Sequence, residues 1–154
     1  MKKSAGILFY RFNNKEVEFF LVHPGGPYCV KKDAGAWSIP KGEFNDDEDP
    51  VEAALREFEE ETNFKISIDR SKMIPLNTVK LKSGKSVHAW AVEGDIDIEK
   101  IQSNTFEMEW PPKSGKKIIV PEIDKGGWFK SKEAKEKINT AQVFFIEELE
   151  KRLA

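Results

Sequence analysis

Residues 42–64 read GEFNDDEDPVEAALREFEEETNF, and the other predicted elements are arranged around this segment. Asp49 is a good helix N-cap, and Pro50 suits the first helical position, where its missing N–H costs no hydrogen bond. Asn63 tolerates the left-handed backbone conformation that ends many helices. The pattern therefore predicts a helix over residues 50–62.

Two stripes run along this predicted helix. Apolar side chains recur at the spacing of a buried face, at Val51, Ala54, Leu55 and Phe58. The carboxylates of Glu57, Glu60 and Glu61 recur at i, i+3 and i+4 and share one neighbouring patch. Such carboxylates repel one another, and their hard oxygens are the donors that Mg²⁺ and Mn²⁺ prefer. A glutamate-rich helix is also the ordinary pattern of a solvated face, so the spacing alone leaves both interpretations open.

A wider pattern surrounds the carboxylates. The spacing G-x5-E-x7-R-E-U-x-E-E-x-G-U, with U a bulky apolar residue, is matched by Gly42, Glu48, Arg56–Phe58, Glu60–Glu61 and Phe64. This segment resembles the Nudix box, the signature of the Nudix hydrolase family. The single departure is Asn63 in place of the last glycine, and asparagine is the next best residue where a positive φ is needed.

The residues that lead into the box are WSIPKG, residues 37–42. Pro40 disfavours helix before it, which predicts an extended segment over 37–39. The run is similar to the lead-in of Nudix enzymes that act on dinucleoside polyphosphates, and it favours a substrate such as diadenosine tetraphosphate. Lys41 is the expected substrate-binding residue there, because a compact ammonium group can hold a phosphate oxygen. A solvated loop lysine is the alternative.

The resemblance implies a reaction and a set of site residues. Nudix enzymes split a diphosphate bond in a nucleoside diphosphate linked to another group, with water attacking phosphorus and divalent metal neutralising charge. Phosphoryl transfer of this kind depends mostly on electrostatic positioning. The cofactor expected is Mg²⁺ or Mn²⁺, and its expected ligands are Gly42 (through its carbonyl), Glu57, Glu60, Glu61 and Glu122.

The resemblance also implies roles for individual side chains. The expected catalytic residues are Glu60, Glu61, Arg56 and Glu122. Arg56 is expected to hold a box carboxylate in place, and Glu48 to anchor the loop or act as an outer ligand. Glu60 is favoured as the general base, and Glu61 and Glu122 stay open as alternatives.

A glutamate outside the box is expected because many Nudix enzymes carry one a few residues before the tryptophan that starts the last strand. Glu122 stands six residues before Trp128 and fits this position. Glu107 and Glu109, in the preceding segment, are its rivals. In the same segment Trp110 is the expected base-stacking residue, with packing of the loop onto the core as the alternative.

The rest of the chain predicts strands and one more helix. Apolar runs at 4–12 and 17–23 predict a first hairpin, and alternating runs at 73–82 and 86–93 predict a second. These hairpins place most of the predicted sheet on either side of the box in the sequence.

Three further segments complete the predicted order of elements. Short strands are expected at 65–68 and 127–129, and an irregular loop at 94–121. Ser131 is expected to cap a last helix that ends near Leu153. This order fits an α/β (α+β) fold in which a mixed sheet lies between helices, the α/β/α sandwich that the Nudix resemblance implies.

The composition is that of an ordinary globular protein. The chain has 154 residues, of which 39% are hydrophobic and 34% charged, and its formal net charge is −2. We expect one domain over residues 1–154 and no nucleic-acid or membrane partner. A small nucleotide as the partner is what the Nudix resemblance implies. The single Cys29 gives no disulfide framework, which fits a cytoplasmic location. The apolar run after Lys3 is too short for a signal peptide.

The substrate stays open at this point. Enzymes of the dinucleoside polyphosphate group often carry a tyrosine shortly after the box, and the only tyrosines here are Tyr10 and Tyr28. The alternatives are a nucleoside triphosphate, a nucleotide sugar, ADP-ribose or a triphosphorylated RNA 5′ end. A non-catalytic nucleotide-binding module is the alternative of another class. Such modules usually lose box carboxylates, and here Glu57, Glu60 and Glu61 are all present.

Overall fold

The computed structural model describes residues 2–154. Its strands are, in chain order, β1 Lys3–Asn13, β2 Glu16–Pro24, β3 Lys41–Glu43, β4 Ile74–Pro75, β5 Val79–Lys80, β6 Ser86–Glu93, β7 Thr105–Glu109, β8 Lys117–Pro121 and β9 Ile123–Lys130. Its α-helices are α1 Pro50–Thr62, α2 Ser131–Lys137 and α3 Val143–Leu153. Short 3-10 helices occur at Arg70–Lys72, Ile98–Lys100 and Thr140–Gln142.

Seven of the strands form one mixed sheet. The order along it is β4-β6-β1-β2-β9, with β3 paired to β1 and β5 paired to β6. β1 and β6 run parallel, and the other pairs in this sheet are antiparallel. β7 and β8 form a separate two-stranded hairpin. With α1 on one face and α2 and α3 on the other, the predicted α/β/α sandwich is confirmed.

The two central strands divide their side chains between two cores. Ile7 and Phe9 of β1 and Phe20 of β2 join the apolar cluster beneath α1. Leu8 of β1 and Phe19 of β2 join the cluster beneath α2 and α3. This alternation is the period of two that a strand imposes on its side chains, and it gives each face of the sheet its own core.

Helix α1 has the ends that the sequence predicts. The Asp49 side chain accepts a hydrogen bond from the Val51 N–H at 3.1 Å. Asn63 has a φ of 60° and its N–H bonds to the Glu59 carbonyl at 2.7 Å. Of the predicted apolar stripe, Ala54 and Phe58 are buried, whereas Val51 and Leu55 are only half-buried. The buried residues of α1 also include two glutamates, Glu57 and Glu61.

The single helix predicted from residue 131 to residue 153 is wrong, because the chain breaks between α2 and α3. Trp37 holds this break from outside: its N–H donates to the Lys137 carbonyl and its carbonyl accepts from the Asn139 N–H. The Asn139 side chain then accepts from the Ala141 N–H and starts a new turn. Ser131 is not the cap either, since Lys130 occupies that position without a side-chain hydrogen bond.

The irregular loop predicted at 94–121 contains the β7–β8 hairpin. Its register pairs Phe106 with Val120 and Met108 with Ile118. The alternation on β7 was hidden by charged residues, since most of that strand is exposed. The hairpin leaves the seven-stranded sheet and packs near Gly26, where Met108 and Val120 approach the backbone.

Three strand predictions need correction as well. Residues 65–68 form no strand, and Ile66 and Ile68 pack against the core beneath α1 without pairing. The 73–82 run pairs only in two short pieces, β4 and β5, because Pro75 has no N–H to continue a ladder. The strand predicted at 127–129 is longer, since β9 has eight residues. The first hairpin is confirmed.

None of the helices between residues 2 and 154 has the length and apolar character that crossing a lipid bilayer requires.

Candidate active site

The short strand β3 brings the lead-in against helix α1. Its register on β1 pairs Gly42 with Ala5 and Lys41 with Gly6. A Cβ on Gly42 would lie 1.9 Å from the Glu57 Oε2 atom. Glycine at this position therefore lets the Glu57 carboxylate rest directly on the β3 backbone, and any larger residue would displace it.

Two of the box glutamates are buried. Glu57 and Glu61 expose 8% and 7% of their surface. Burial, and then the nearby Glu60 carboxylate, raise the pKa of Glu57 to about 7, with Glu122 adding to the shift and Arg56 opposing it. Burial also raises the pKa of Glu61 to about 9, and Glu57 and Glu122 add to this shift. The site thus holds carboxylates that resist ionisation unless a cation joins them.

Arg56 lies at the outer edge of these carboxylates. Its Nε and Nη2 atoms donate to the two oxygens of Glu48 at 3.0 and 3.3 Å. Its Nη1 atom donates to Glu57 at 3.3 Å and to Glu60 at 3.1 Å. One guanidinium therefore joins the loop before α1 to the carboxylate patch. Glu60, whose side chain is 39% exposed, occupies the solvent side of that patch.

Glu122 joins the cluster from the junction of β8 and β9. It lines a small cavity of about 140 Å³ together with Lys41 and Glu61. Its rivals lie elsewhere. Glu107 pairs with Lys117 on the partner strand at 3.4 Å. Glu109 accepts hydrogen bonds from two N–H groups of its own hairpin turn. Of the three, the structure brings only Glu122 to the box carboxylates.

Lys41 lines the same cavity as Glu61, and its positive charge opposes the rise in the pKa of that buried carboxyl group. Burial lowers the pKa of Lys41, and Lys85 lowers it further, whereas Glu61, Glu43 and Glu57 raise it. Lys41 therefore belongs to the site and is not a freely solvated loop lysine.

Trp110 is separated from the carboxylates. It packs edge to face on Tyr28, with ring centroids 4.9 Å apart. It follows β7, whose first residue pairs with Pro121 beside Glu122. Five residues of extended chain then place Trp110 roughly 17 Å along the hairpin from that end. Tyr28, 56% exposed, is a neighbour that the sequence alone did not connect to Trp110.

Asn104, which no sequence pattern pointed to, donates through its Nδ2 atom to Glu122 Oε1 at 3.3 Å. It lies in a segment without periodicity, so no local signal could have found it. A larger cavity, of about 660 Å³, lies against α3 and away from the carboxylates. The site is assigned on the perturbed carboxylates rather than on cavity size.

The donor set fits a hard divalent cation. The site combines four carboxylates with two cationic side chains, Arg56 and Lys41. These cations do not offset the effect of burial, because the pKa values of the buried pair remain raised. The four carboxylates are those of Glu57, Glu60, Glu61 and Glu122. Within residues 2–154 no three acidic, histidine or cysteine side chains already converge as a complete metal cage.

A comparison with models of protein families decides the family. The model of the NUDIX domain matches residues 2–149. The chain belongs to the Nudix family. It is a Nudix hydrolase, an enzyme of the pyrophosphohydrolase class, and the resemblance drawn from the box is confirmed. Nudix hydrolases generally depend on a divalent metal and act on small nucleotide substrates.

Solved structures share the Nudix fold of this chain. An Ap4A hydrolase of C. elegans, in a binary complex, is 23% identical with a TM-score of 0.69, covering 99% of this chain and 98% of the other. The NUDIX domain of Shewanella oneidensis NrtR, complexed with ADP ribose, is 14% identical with a TM-score of 0.66, covering 99% and 88%. The E. coli ORF135 protein is 19% identical with a TM-score of 0.60, covering 100% and 93%. No curated protein matches the chain significantly.

Proposed function

We propose that this Nudix enzyme hydrolyses a diphosphate bond in a nucleoside diphosphate linked to another moiety, using Mg²⁺ or Mn²⁺ held by its box carboxylates. The observation that carries the proposal is the convergence of the buried Glu57 and Glu61 with Glu122. Burying two carboxyl groups with pKa values raised to about 7 and about 9 costs folding stability, and such perturbed groups are typical of a site that binds a cation.

The proposed ligands are Glu57, Glu60, Glu61 and Glu122, with the Gly42 carbonyl as a further donor. When bound, the cation would neutralise phosphate charge and lower the pKa of a water molecule. Arg56 would hold the patch in register through its bonds to Glu48, Glu57 and Glu60. These roles assign each side chain of the cluster either to the cation or to its support.

Lys41 and one carboxylate would complete the chemistry. The Lys41 ammonium would hold a non-bridging phosphate oxygen, because it lines the cavity that Glu61 and Glu122 share. The proton of the attacking water would pass to Glu60, which is the most exposed box carboxylate, or to Glu61 or Glu122. A base variant should lose turnover but keep cation affinity, whereas a ligand variant should lose both.

For the substrate we propose a dinucleoside polyphosphate such as diadenosine tetraphosphate. The WSIPKG lead-in supports this choice, and the structural likeness to the C. elegans Ap4A hydrolase agrees with it. Trp110 and Tyr28 add a stacking surface at the far end of the β7–β8 hairpin. A separation of roughly 17 Å from the carboxylate end of the hairpin suits a base joined through a long polyphosphate better than the base of a mononucleotide.

The proposal extends to the whole chain and its setting. Residues 1–154 would act as one Nudix domain with no nucleic-acid or membrane partner. The lone Cys29 is half-buried and suits a reducing cytoplasm. These points rest on composition and on the extent of the family match.

The test is product analysis on a nucleotide panel with Mg²⁺, with Mn²⁺ and with chelator. The panel contains diadenosine tetraphosphate, nucleoside triphosphates, nucleotide sugars, ADP-ribose and a triphosphorylated RNA. Metal-dependent cleavage of diadenosine tetraphosphate to AMP and ATP is expected. Faster turnover of another nucleotide would overturn the substrate but keep the chemistry. Binding without any turnover would overturn the reaction and leave a nucleotide-binding module.

A further inference from the structure

Residues 102–104 form a clasp between α1 and the start of β9, and this clasp fixes Glu122. On the helix side, the Gln102 N–H donates to the Thr62 carbonyl at 3.2 Å, and the Asn104 N–H donates to the Glu60 carbonyl at 2.9 Å. The clasp is therefore anchored on the last turns of the helix that carries the box carboxylates.

On the sheet side the clasp holds Glu122 by its backbone. The Glu122 N–H donates to the Asn104 carbonyl at 2.9 Å, and the Ile123 N–H donates to Ser103 Oγ at 3.0 Å. The Glu122 carbonyl accepts from the Gly25 N–H at 2.9 Å, which ties the same point to the end of β2. Glu122 thus enters the cluster from a backbone held on two sides.

The Asn104 side chain then fixes the Glu122 carboxylate. Its Nδ2 atom donates to Glu122 Oε1 at 3.3 Å. Because an ionised carboxylate can only accept hydrogen bonds, the NH₂ group of the amide must face it and the amide oxygen must point away. The Asn104 Oδ1 atom is buried and, within residues 2–154, meets no hydrogen-bond donor. A buried amide oxygen without a protein donor needs one from outside the chain, and a hydrated cation carries such donors.

We infer that Asn104 is a positioning residue, which holds the Glu122 carboxylate among the cation-binding glutamates. The inference rests on the proposed function of that site. A neutral amide suits the position, because it donates to Glu122 without adding charge to a cluster that already holds four carboxylates. Partners of metal ligands that act in this way typically change affinity or activity 10–100-fold when they are removed.

The experiment is a double-mutant cycle of Asn104→Ala with Glu122→Gln. The readouts are kcat and KM on diadenosine tetraphosphate, or on the panel nucleotide that wild type cleaves fastest, and the Mn²⁺ affinity of the nucleotide-free protein by calorimetry. We expect Asn104→Ala to lower kcat by about 10–100-fold and to weaken Mn²⁺ binding by a similar factor, with a smaller change in KM. In the Glu122→Gln background the same substitution should have almost no further effect.

Gln102→Ala is the matched control, because the exposed Gln102 belongs to the same clasp and keeps its backbone bond as alanine. It should stay within about twofold of wild type. Should Asn104→Ala fail to fold, Asn104→Asp keeps the size but replaces the donor with a further carboxylate that repels Glu122, and a loss of at least about tenfold in kcat is expected.

Independent, multiplicative losses in the cycle would overturn the inference, as would wild-type kcat and Mn²⁺ affinity in Asn104→Ala or in a folded Asn104→Asp. Failure of the proposed function is recognised separately. In that case wild type itself turns over no panel nucleotide, and the Mn²⁺ arm of the cycle still decides whether Asn104 acts through Glu122.

Discussion

Helix α1, on one face of the sheet, buries two glutamates, whereas α3 on the opposite face buries only Phe145, Ile146 and Leu149. Each of those apolar side chains contributes about 1.5–3 kcal/mol by leaving water. Glu57 and Glu61 are also buried, at 8% and 7% exposed, but carry groups that burial disfavours. The buried side chains of α3 therefore stabilise the fold, whereas the burial of Glu57 and Glu61 in the second half of α1 costs stability.

The buried polar side chains on the α3 face of the sheet have different partners from those on the α1 face. Gln142 is 1% exposed, yet its Oε1 atom accepts from the Ile39 N–H at 3.0 Å and its Nε2 atom donates to Ser38 Oγ at 3.1 Å. The buried box carboxylates, by contrast, have further carboxylates among their neighbours, and these like charges raise their pKa values. A buried polar group whose hydrogen bonds are all made is typical of a structural role. A buried ionisable group that lies beside like charges is typical of a functional site.

The largest effect is expected from Phe145→Ala, which should lower the free energy of unfolding by about 3–5 kcal/mol. The ring is fully buried beneath α3, so its loss leaves a cavity. Denaturant unfolding measures the change. Phe144→Ala is the control: Phe144 is 66% exposed, and its loss should cost no more than about 0.5 kcal/mol. Equal losses in the two variants would contradict the assignment of this face to the core.

Glu61→Gln should leave folding intact and cut turnover at least about a hundredfold, which corresponds to about 2.7 kcal/mol. The amide keeps the shape of the side chain but removes a charged oxygen donor. Steady-state kinetics with saturating Mn²⁺ measures the loss. The matched control is Glu59→Gln on the exposed face of the same helix, which should retain wild-type turnover. Near-normal turnover in Glu61→Gln would remove Glu61 from the metal site.

Gln142→Ala should cost about 1–3 kcal/mol of stability, because it leaves the buried Ile39 N–H without its acceptor. Turnover per folded molecule should change little, since this amide supports the back of the lead-in and lies on the opposite face from the carboxylates. Chemical unfolding and kinetics of the same preparation separate the two quantities. Lost turnover in a protein of unchanged stability would go against the division between the faces.

The pH dependence of stability should distinguish the two faces of the sheet without removing any apolar side chain from the core. The pKa of Glu61 is raised to about 9 in the folded protein from an ordinary value of 4.5. The stability that its protonated carboxyl group contributes is therefore fully present below pH 4.5 and is lost as pH rises through 9. In chelator, the melting temperature of wild type should therefore fall over this window more than that of Glu61→Gln. Expressed as free energy of unfolding, the fall in wild type should exceed the fall in Glu61→Gln by at least about 1.4 kcal/mol, which is the equivalent of one pKa unit. Parallel pH profiles would contradict the raised pKa.

What could be predicted from the sequence was local. The caps of α1 and its carboxylate spacing lie within one stretch, where Asp49, Pro50 and Asn63 act on neighbouring backbone. The burial of Glu57 was not readable, because it depends on the pairing of β3 with β1, which places Gly42 on the carboxylate. The resemblance to the Nudix box supplied Glu122, a residue that no local pattern singles out.

The other misses share a physical reason. The break between α2 and α3 is made by hydrogen bonds to Trp37, about a hundred residues away in the sequence, which helical periodicity cannot report. The clasp at Asn104 likewise bonds to Glu60 and Glu122, both distant along the chain. Elements with their own periodicity were predicted, and elements that are defined by remote partners were not.

We expect the buried glutamates of α1 to hold a divalent cation. The most direct test is Mn²⁺ binding by calorimetry, without nucleotide, to wild type and to the Glu57→Gln/Glu61→Gln double variant. Wild type should bind Mn²⁺ and release protons at pH 7, because carboxyl groups with raised pKa values must ionise on binding. The double variant should bind at least about tenfold more weakly, without that proton release. Equal affinity in two folded proteins would contradict the account.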